Sequence, residues 1–256
     1  MFFFEKRTKK LLFVGVRGRR VWDEEVSLDL PFREIIDLSH EMFEGMRNGG
    51  GWTVAFPIMD NFARTRMMTG GRAAYETHMM LFPEHCGTHL DAPRHFHEPG
   101  RSIDQIPLER LCVPGHLLDL THRGPGEAIT IADFEAAEEK SGRRISAGTA
   151  TVCWTGSDVA WGQPDMGRRR PHVPTETAQF LVDRGMQLFA TDMIGMDNPD
   201  EWWDPTHQVW LSNDVCMVQQ LCGLERLVGK DFLLAAFPIK VLGATGCPVR
   251  AVALVV

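Results

Sequence analysis

Between positions 85 and 95 the chain reads His-Cys-Gly-Thr-His-Leu-Asp-Ala-Pro-Arg-His. His85, His89 and Asp91 are the side chains a divalent cation takes, through imidazole nitrogen and carboxylate oxygen. His95, four positions on, carries a group that exchanges protons near neutrality. Four of the ten histidines fall between His85 and His97. Separately satisfied imidazoles do not explain such a cluster beside an aspartate, so the segment reads as a metal site with an adjoining proton carrier. His97, in the turn-like context of Glu98-Pro99-Gly100, reads as solvent-facing.

The four candidate residues are odd-numbered, as are Gly87 and Pro93. Alternate side chains of an extended strand share a face, so one face would hold every donor and a glycine that leaves room for an ion. A helix would align His85 with His89 but turn Asp91 aside, and Gly87 and Pro93 would weaken it. A straight strand would set the two histidine Cα atoms roughly 13 Å apart at ~3.3 Å per residue. Ligand bonds of ~2.0–2.2 Å barely close that span. The segment is therefore expected to run extended and to bend at Gly87. Cys86, even-numbered, is expected to face away from the metal.

Elements must hold this segment in place. Strands are expected at 34–39, 77–82, 116–120, 150–155, 187–192, 215–218, 232–241 and 249–256, the last two joined by Gly243 to Pro248. Thr130 to Lys140 reads as a helix capped by Thr130, with Asp133 as its capping-box acid and Gly142 past its end. Thr175 to Arg184 repeats that grammar with Gly185 as the stop. Helices alternating with strands give an α/β fold, with a mixed sheet because several connections are too short for crossover helices. Gly162–Pro174 reads as a long surface loop.

The chain has 256 residues, 44% of them hydrophobic and 24% charged, enough for one large domain. Its formal charge of −7 argues against nucleic acid as a partner. Six cysteines without a CxxC pair suit reduced, buried thiols in the cytoplasm. The first twenty residues differ, holding seven basic residues against Glu5 alone. Their apolar run, Leu11 to Val14, is too short for a signal-peptide core or a membrane span. Residues 1–33 are expected to form a basic extension and 34–256 the functional domain.

Rival chemistries lack their residues. There is no G-x-S-x-G elbow and no G-x-G-x-x-G. Gly223 to Lys230 has one residue too many for a phosphate loop, and Asp231 where Ser or Thr is needed. His89 and Asp91 with His207 would compose an iron-oxygenase triad, but His85 already supplies a second histidine nearby. Trp202, Trp203 and Trp210 read first as packing residues; Trp202 and Trp203, with Phe82, are also candidates for lining a substrate pocket.

His85 to Phe96 resembles the HxGTHxDxPxHF signature of the metal-dependent cyclase family of hydrolases, which includes bacterial kynurenine formamidases and isatin hydrolases. Ile36-Asp37-Leu38-Ser39, Ser102 to Ile106, and Phe237-Pro238-Ile239-Lys240 through Gly246 to Ala251 extend the likeness over residues 34–256. The resemblance implies a swivelling β/β/α-type single domain with a mixed sheet core and flanking helices. It implies His85, His89 and Asp91 as metal ligands and His95 as general acid/base. Two-metal members add a histidine and, twelve residues later, a glutamate. Here His207 fits the histidine, but position 219 is Gln. A neutral amide does not offset a second dication, so one ion per chain is expected, Mn²⁺ ahead of Zn²⁺. His207 and Gln219 remain additional candidates for that ion or for orienting water. The implied reaction is hydrolysis of a C–N amide bond, cyclic or N-formyl/aryl, in a small molecule, by a homodimer or homotetramer without membrane attachment. The alternatives are a lactonase, a polyketide-type cyclase, or a metal-binding module without catalysis.

Overall fold

The computed structural model describes residues 31–46 and 53–256. Residues 1–30, most of the expected basic extension, lie outside the described residues. The chain opens with strand β1 (Glu34–Asp37), then an excursion of β2 (Ile58–Asp60), helix α1 (Phe62–Met68) and β3 (Thr77–His78). Strand β4 (His89–Asp91) follows, then β5 (Cys112–Asp119), α2 (Ile131–Ser141), β6 (Ala150–Trp154), α3 (Thr175–Asp183) and β7 (Leu188–Thr191). Helix α4 (Pro205–Ser212), β8 (Cys216–Gln219), β9 (Phe232–Ala235), β10 (Gly246–Pro248) and β11 (Val252–Val255) complete it.

Nine strands form one mixed sheet in the order β1-β11-β9-β5-β6-β7-β8-β4-β10. From β5 to β8 neighbours run parallel, because α2, α3 and α4 supply the crossovers that parallel pairing requires. Side chains alternate between two cores. Val152, Ala190, Val218 and Leu90 enter one, with Ile36, Leu234 and Ala253 from the far edge. Sharing that core brings the two ends of the sheet together, and Ser39 bridges to Leu221 across them. Cys153, Phe189 and Met217 point the other way, against Phe134, Leu181 and Trp210 of the three helices. Burying such a Phe or Leu is worth roughly 1.5–3 kcal/mol each.

The expected α2 grammar is present in full. Thr130 and Asp133 form the reciprocal capping box, and Gly142 adopts φ +67° after the last turn. Other expectations need correction. The 77–82 strand is only Thr77–His78, paired with β2 in a separate two-stranded sheet, with Leu81 bridging to Ala55. The 232–241 strand stops at Ala235. Gly246–Pro248, read as part of a connection, is strand β10, held by its register against β4. The 162–174 loop is not all surface: Arg170 is buried, and its guanidinium donates to the Asp197 carbonyl at 2.7 Å.

Candidate metal centre

Leu90 enters the first core, so its neighbours His89 and Asp91 emerge on the helix-bearing face of β4. In register, His89 stands opposite Gln219 of β8 on one side and Pro248 of β10 on the other. Gly87 has φ +63°, the left-handed turn that brings His85 back over the strand. Its missing side chain does not make room for an ion, however: a β-carbon there would meet Met42 Cγ at 3.2 Å. Cys86 packs with Met46 and Val54, and burial pushes its thiol up to about 11.

Three atoms converge. His85 Nδ1 lies 2.6 Å from Asp91 Oδ1, and His89 Nε2 lies 3.1 Å from the same oxygen. His89 Nδ1 donates to the Gly87 carbonyl at 2.7 Å, which leaves its Nε2 a bare lone pair. His85 Nε2 lies 3.1 Å from Thr245 Oγ1, whose hydroxyl hydrogen goes to Glu84 Oε2 at 2.7 Å. Lone pairs of two imidazoles and a carboxylate thus face one another, an arrangement that a shared cation relieves. Neighbouring ligands ~2.0–2.2 Å from one ion stand about 3 Å apart, so the donor set fits a divalent metal.

The site has an open side. His89 and Asp91 side chains are 4% and 1% exposed, whereas His85 retains 25%. On that side the His95 ring stacks on His85 with centroids 3.8 Å apart. His95 is not on the strand: it ends a 3₁₀ turn, Pro93–His95, and strand alternation does not extend to it. Burial is the main cause that drops its pKa to about 4.

Helix α4 brings in His207, and no helix is expected there from the sequence. Pro205 at its first position after Asp204 was the available signal. Asp197 Oδ1 accepts from the Thr206 amide at 2.5 Å, and its Oδ2 accepts from His207 Nδ1. Burial lowers the His207 pKa, but Asp197 and Asp91 outweigh it and leave it raised. Gln219 closes the floor. Its Oε1 accepts the Gly195 amide at 2.8 Å, so its NH₂ end must face Asp91 and His207. One hydrogen goes to Asp91 Oδ2 and the other faces His207 Nε2 at 3.2 Å. That contact favours the neutral His207 ring, since two donors would otherwise oppose each other, against the carboxylates of Asp197 and Asp91, which favour the charged one.

Phe82 packs beside Cys86 and Val54, and Trp202 and Trp203 meet edge to face before α4, with Trp202 86% exposed. Trp210 is core, its indole donating to the Ala178 carbonyl. His97 is partly buried. Sequence reasoning missed Asp197, which holds His207, and Thr245, through whose hydroxyl Glu84 reaches His85.

The Cyclase family model matches residues 36–198. An isatin hydrolase from Roseibium aggregatum is 30% identical over 199 residues, 69% of this chain and 73% of that protein. A kynurenine formamidase from Salinibacter ruber is 29% identical over 171 residues, 66% of this chain and 74% of that protein. Among solved structures, an isatin hydrolase bound to the product analogue thioisatinate has a TM-score of 0.74 at 22% identity. The match covers 87% of this chain and 92% of that one, and it shows a shared fold.

Proposed function

Because this chain belongs to the Cyclase family, we propose that it is a metal-dependent amidohydrolase that cleaves a C–N bond in a small cyclic amide of the isatin kind or in an N-formyl or aryl amide. The observation that carries this reading is the convergence of His85 Nδ1, His89 Nε2 and Asp91 Oδ1 beside the half-open His95 ring. A site closed by protein on every side would suit a structural ion; this one keeps an open flank.

A divalent cation at these three donors supplies Lewis acidity, polarising a carbonyl oxygen and making water a stronger acid. His95, neutral at pH 7, takes the proton from the attacking water as its oxygen bonds to the carbonyl carbon. The same imidazolium then returns the proton to the nitrogen as the C–N bond breaks, leaving an amine and a carboxylic or formic acid that ionises and releases its proton to solvent. His89 and Asp91 stay fixed through the Gly87 carbonyl and the Gln219 amide. Mn²⁺ is favoured over Zn²⁺, since two imidazoles and a carboxylate with room for further oxygen ligands suit a higher-coordinate ion. One ion per chain is favoured because the Gln219 NH₂ fills the gap between Asp91 and His207 with hydrogens.

Phe82, Trp202 and Trp203 are proposed to contact the substrate, the two tryptophans from the loop that leads into the helix of His207. Alanine at both tryptophans is expected to raise KM more than it lowers kcat. Ile58, Met59, Phe62, Met67 and Met80 stand exposed on the β2–α1–β3 excursion, which supports self-association as a dimer or tetramer. No helix among the described residues is long and apolar enough to cross a membrane.

The deciding experiment strips metal with a chelator and follows proton release from isatin, N-formyl anilines, lactones and cyclic imides before and after Mn²⁺ is restored. Loss and recovery of amide hydrolysis supports the reading. Undiminished hydrolysis by metal-free protein refutes it, and turnover of lactones alone moves the chain to ester chemistry.

A further inference from the structure

Glu84 immediately precedes the first metal-donor histidine, and the proposed hydrolysis does not use it. Its Oε2 accepts from the Thr245 amide at 2.8 Å, the Thr245 hydroxyl at 2.7 Å and the Gly246 amide at 3.3 Å. These contacts tie the approach to β4 to the loop that enters β10, 161 and 162 residues later. A hydroxyl has one hydrogen, and here it points at Glu84. Thr245 Oγ1 must then meet His85 Nε2, 3.1 Å away, as an acceptor.

That assignment fixes the ring. His85 carries a hydrogen on Nε2 and turns Nδ1 toward Asp91 Oδ1, 2.6 Å away, where a bound ion would take the place of the hydrogen that so short a contact otherwise needs. The other tautomer would oppose a bare Nε2 to a hydroxyl oxygen with no hydrogen between them, and would put an N–H where the ion belongs. All three imidazoles around Asp91 are thus held at the nitrogen remote from it, but by different acceptors. His89 uses a backbone carbonyl, His207 a carboxylate, and His85 a carboxylate acting through a hydroxyl. Such partners fix ring orientation and tautomer and raise a ligand's basicity.

We propose that Glu84 and Thr245 are positioning residues that lock His85 in the Nε2–H tautomer and thereby set the affinity of the site for its divalent cation. This rests on the proposed metal-dependent function. The Nε2 hydrogen is expected with or without an ion, and a bare Nδ1 only when the ion is bound.

The test uses the full chain and its Thr245→Val, Thr245→Ser and Glu84→Gln variants. Two quantities are read: Mn²⁺ and Zn²⁺ affinity by competition with a fluorescent chelator, and the presence of a hydrogen on His85 Nε2 in metal-free protein by ¹⁵N NMR. Thr245→Val is expected to bind metal roughly 10–100-fold more weakly and to show mixed tautomers. Thr245→Ser, which keeps the hydroxyl, should retain both properties, and Glu84→Gln should fall between. A His85 ring without a hydrogen on Nε2 in the unaltered protein overturns the proposal without any variant. So does wild-type affinity in Thr245→Val, or, where that variant does not fold, in Glu84→Gln. Should the unaltered protein take up no metal at all, the functional reading falls, and the ¹⁵N spectrum still decides whether Glu84 and Thr245 fix the ring.

Discussion

Gly246 lies flat against the His85 imidazole: a β-carbon on Gly246 would come within 2.3 Å of Cε1 and 2.6 Å of Nδ1. The glycine that makes room for this donor is therefore on β10, paired in register with Asp91, and not the Gly87 of the donor segment itself. Gly246→Ala must displace either the ring or the strand. Metal affinity should fall by on the order of tenfold or more, measured as ions retained after dialysis, with kcat falling in proportion to occupancy. Full metal content in this variant would show that the ring finds another pose.

Gln219→Glu should change stoichiometry. The amide now gives hydrogens to Asp91 and His207; a carboxylate would give neither, and would add the charge that a second cation needs. Without metal, two buried carboxylates would repel and the protein should melt earlier than wild type. With excess Mn²⁺ or Zn²⁺ the variant should bind two ions per chain by calorimetry, against one for the parent. Two ions in the parent would mean that the Gln219 amide does not keep a second cation out.

His95→Ala should lower kcat by roughly 10²–10⁴-fold while the protein keeps its metal. Loss of metal instead would make His95 a ligand. The pH profile gives an independent check. Burial chiefly, against the pull of Asp91, drops the His95 pKa to about 4, and a base works only when unprotonated. kcat/KM should stay level from pH 8 to about 5 and fall toward pH 4, rather than fall near the ordinary histidine value of about 6.5.

Asp133 offers a stability test away from the site. Burial would raise its pKa, but hydrogen bonds from Thr130, Arg123 and His122 outweigh it and hold the carboxyl well below its usual range. A depressed folded pKa adds stability above the unfolded value of about 3.9, and that stability is lost as pH falls through the folded value. Asp133→Asn should cost about 1–2 kcal/mol at pH 7, from the weakened cap and its ion pair. The gap to wild type in urea unfolding should narrow below about pH 4.

How much of this was legible in the sequence follows the range of the forces involved. The capping box of α2 needs only Thr130, Asp133 and Gly142, and the structure shows all three at work. The shared face of His89 and Asp91 follows from strand alternation over three residues, and the turn at Gly87 from the conformational freedom of glycine. Alternation then failed at His95, because Pro93 starts a 3₁₀ turn and the two-residue period ends with the strand. Helix α4 left little trace in the sequence because it is short and opens on Asp204 at φ +48°, a backbone turn that residue type alone does not announce.

By itself the chain determined which donors exist, that His89 and Asp91 share a strand face, and that an amide stands at position 219. Such properties depend on residue type and on neighbours a few bonds away. Only the tertiary structure decided which nitrogen of each imidazole faces inward. That choice belongs to Gly87, Thr245 with Glu84, and Asp197, and two of the three acceptors come from elsewhere in the chain or act through it. The strand order that lays β8 and β10 on either side of β4 is equally non-local. Hydrogen bonds reach about 3 Å through space without regard to separation along the chain, so a linear pattern can name the donors and still leave their partners to the fold.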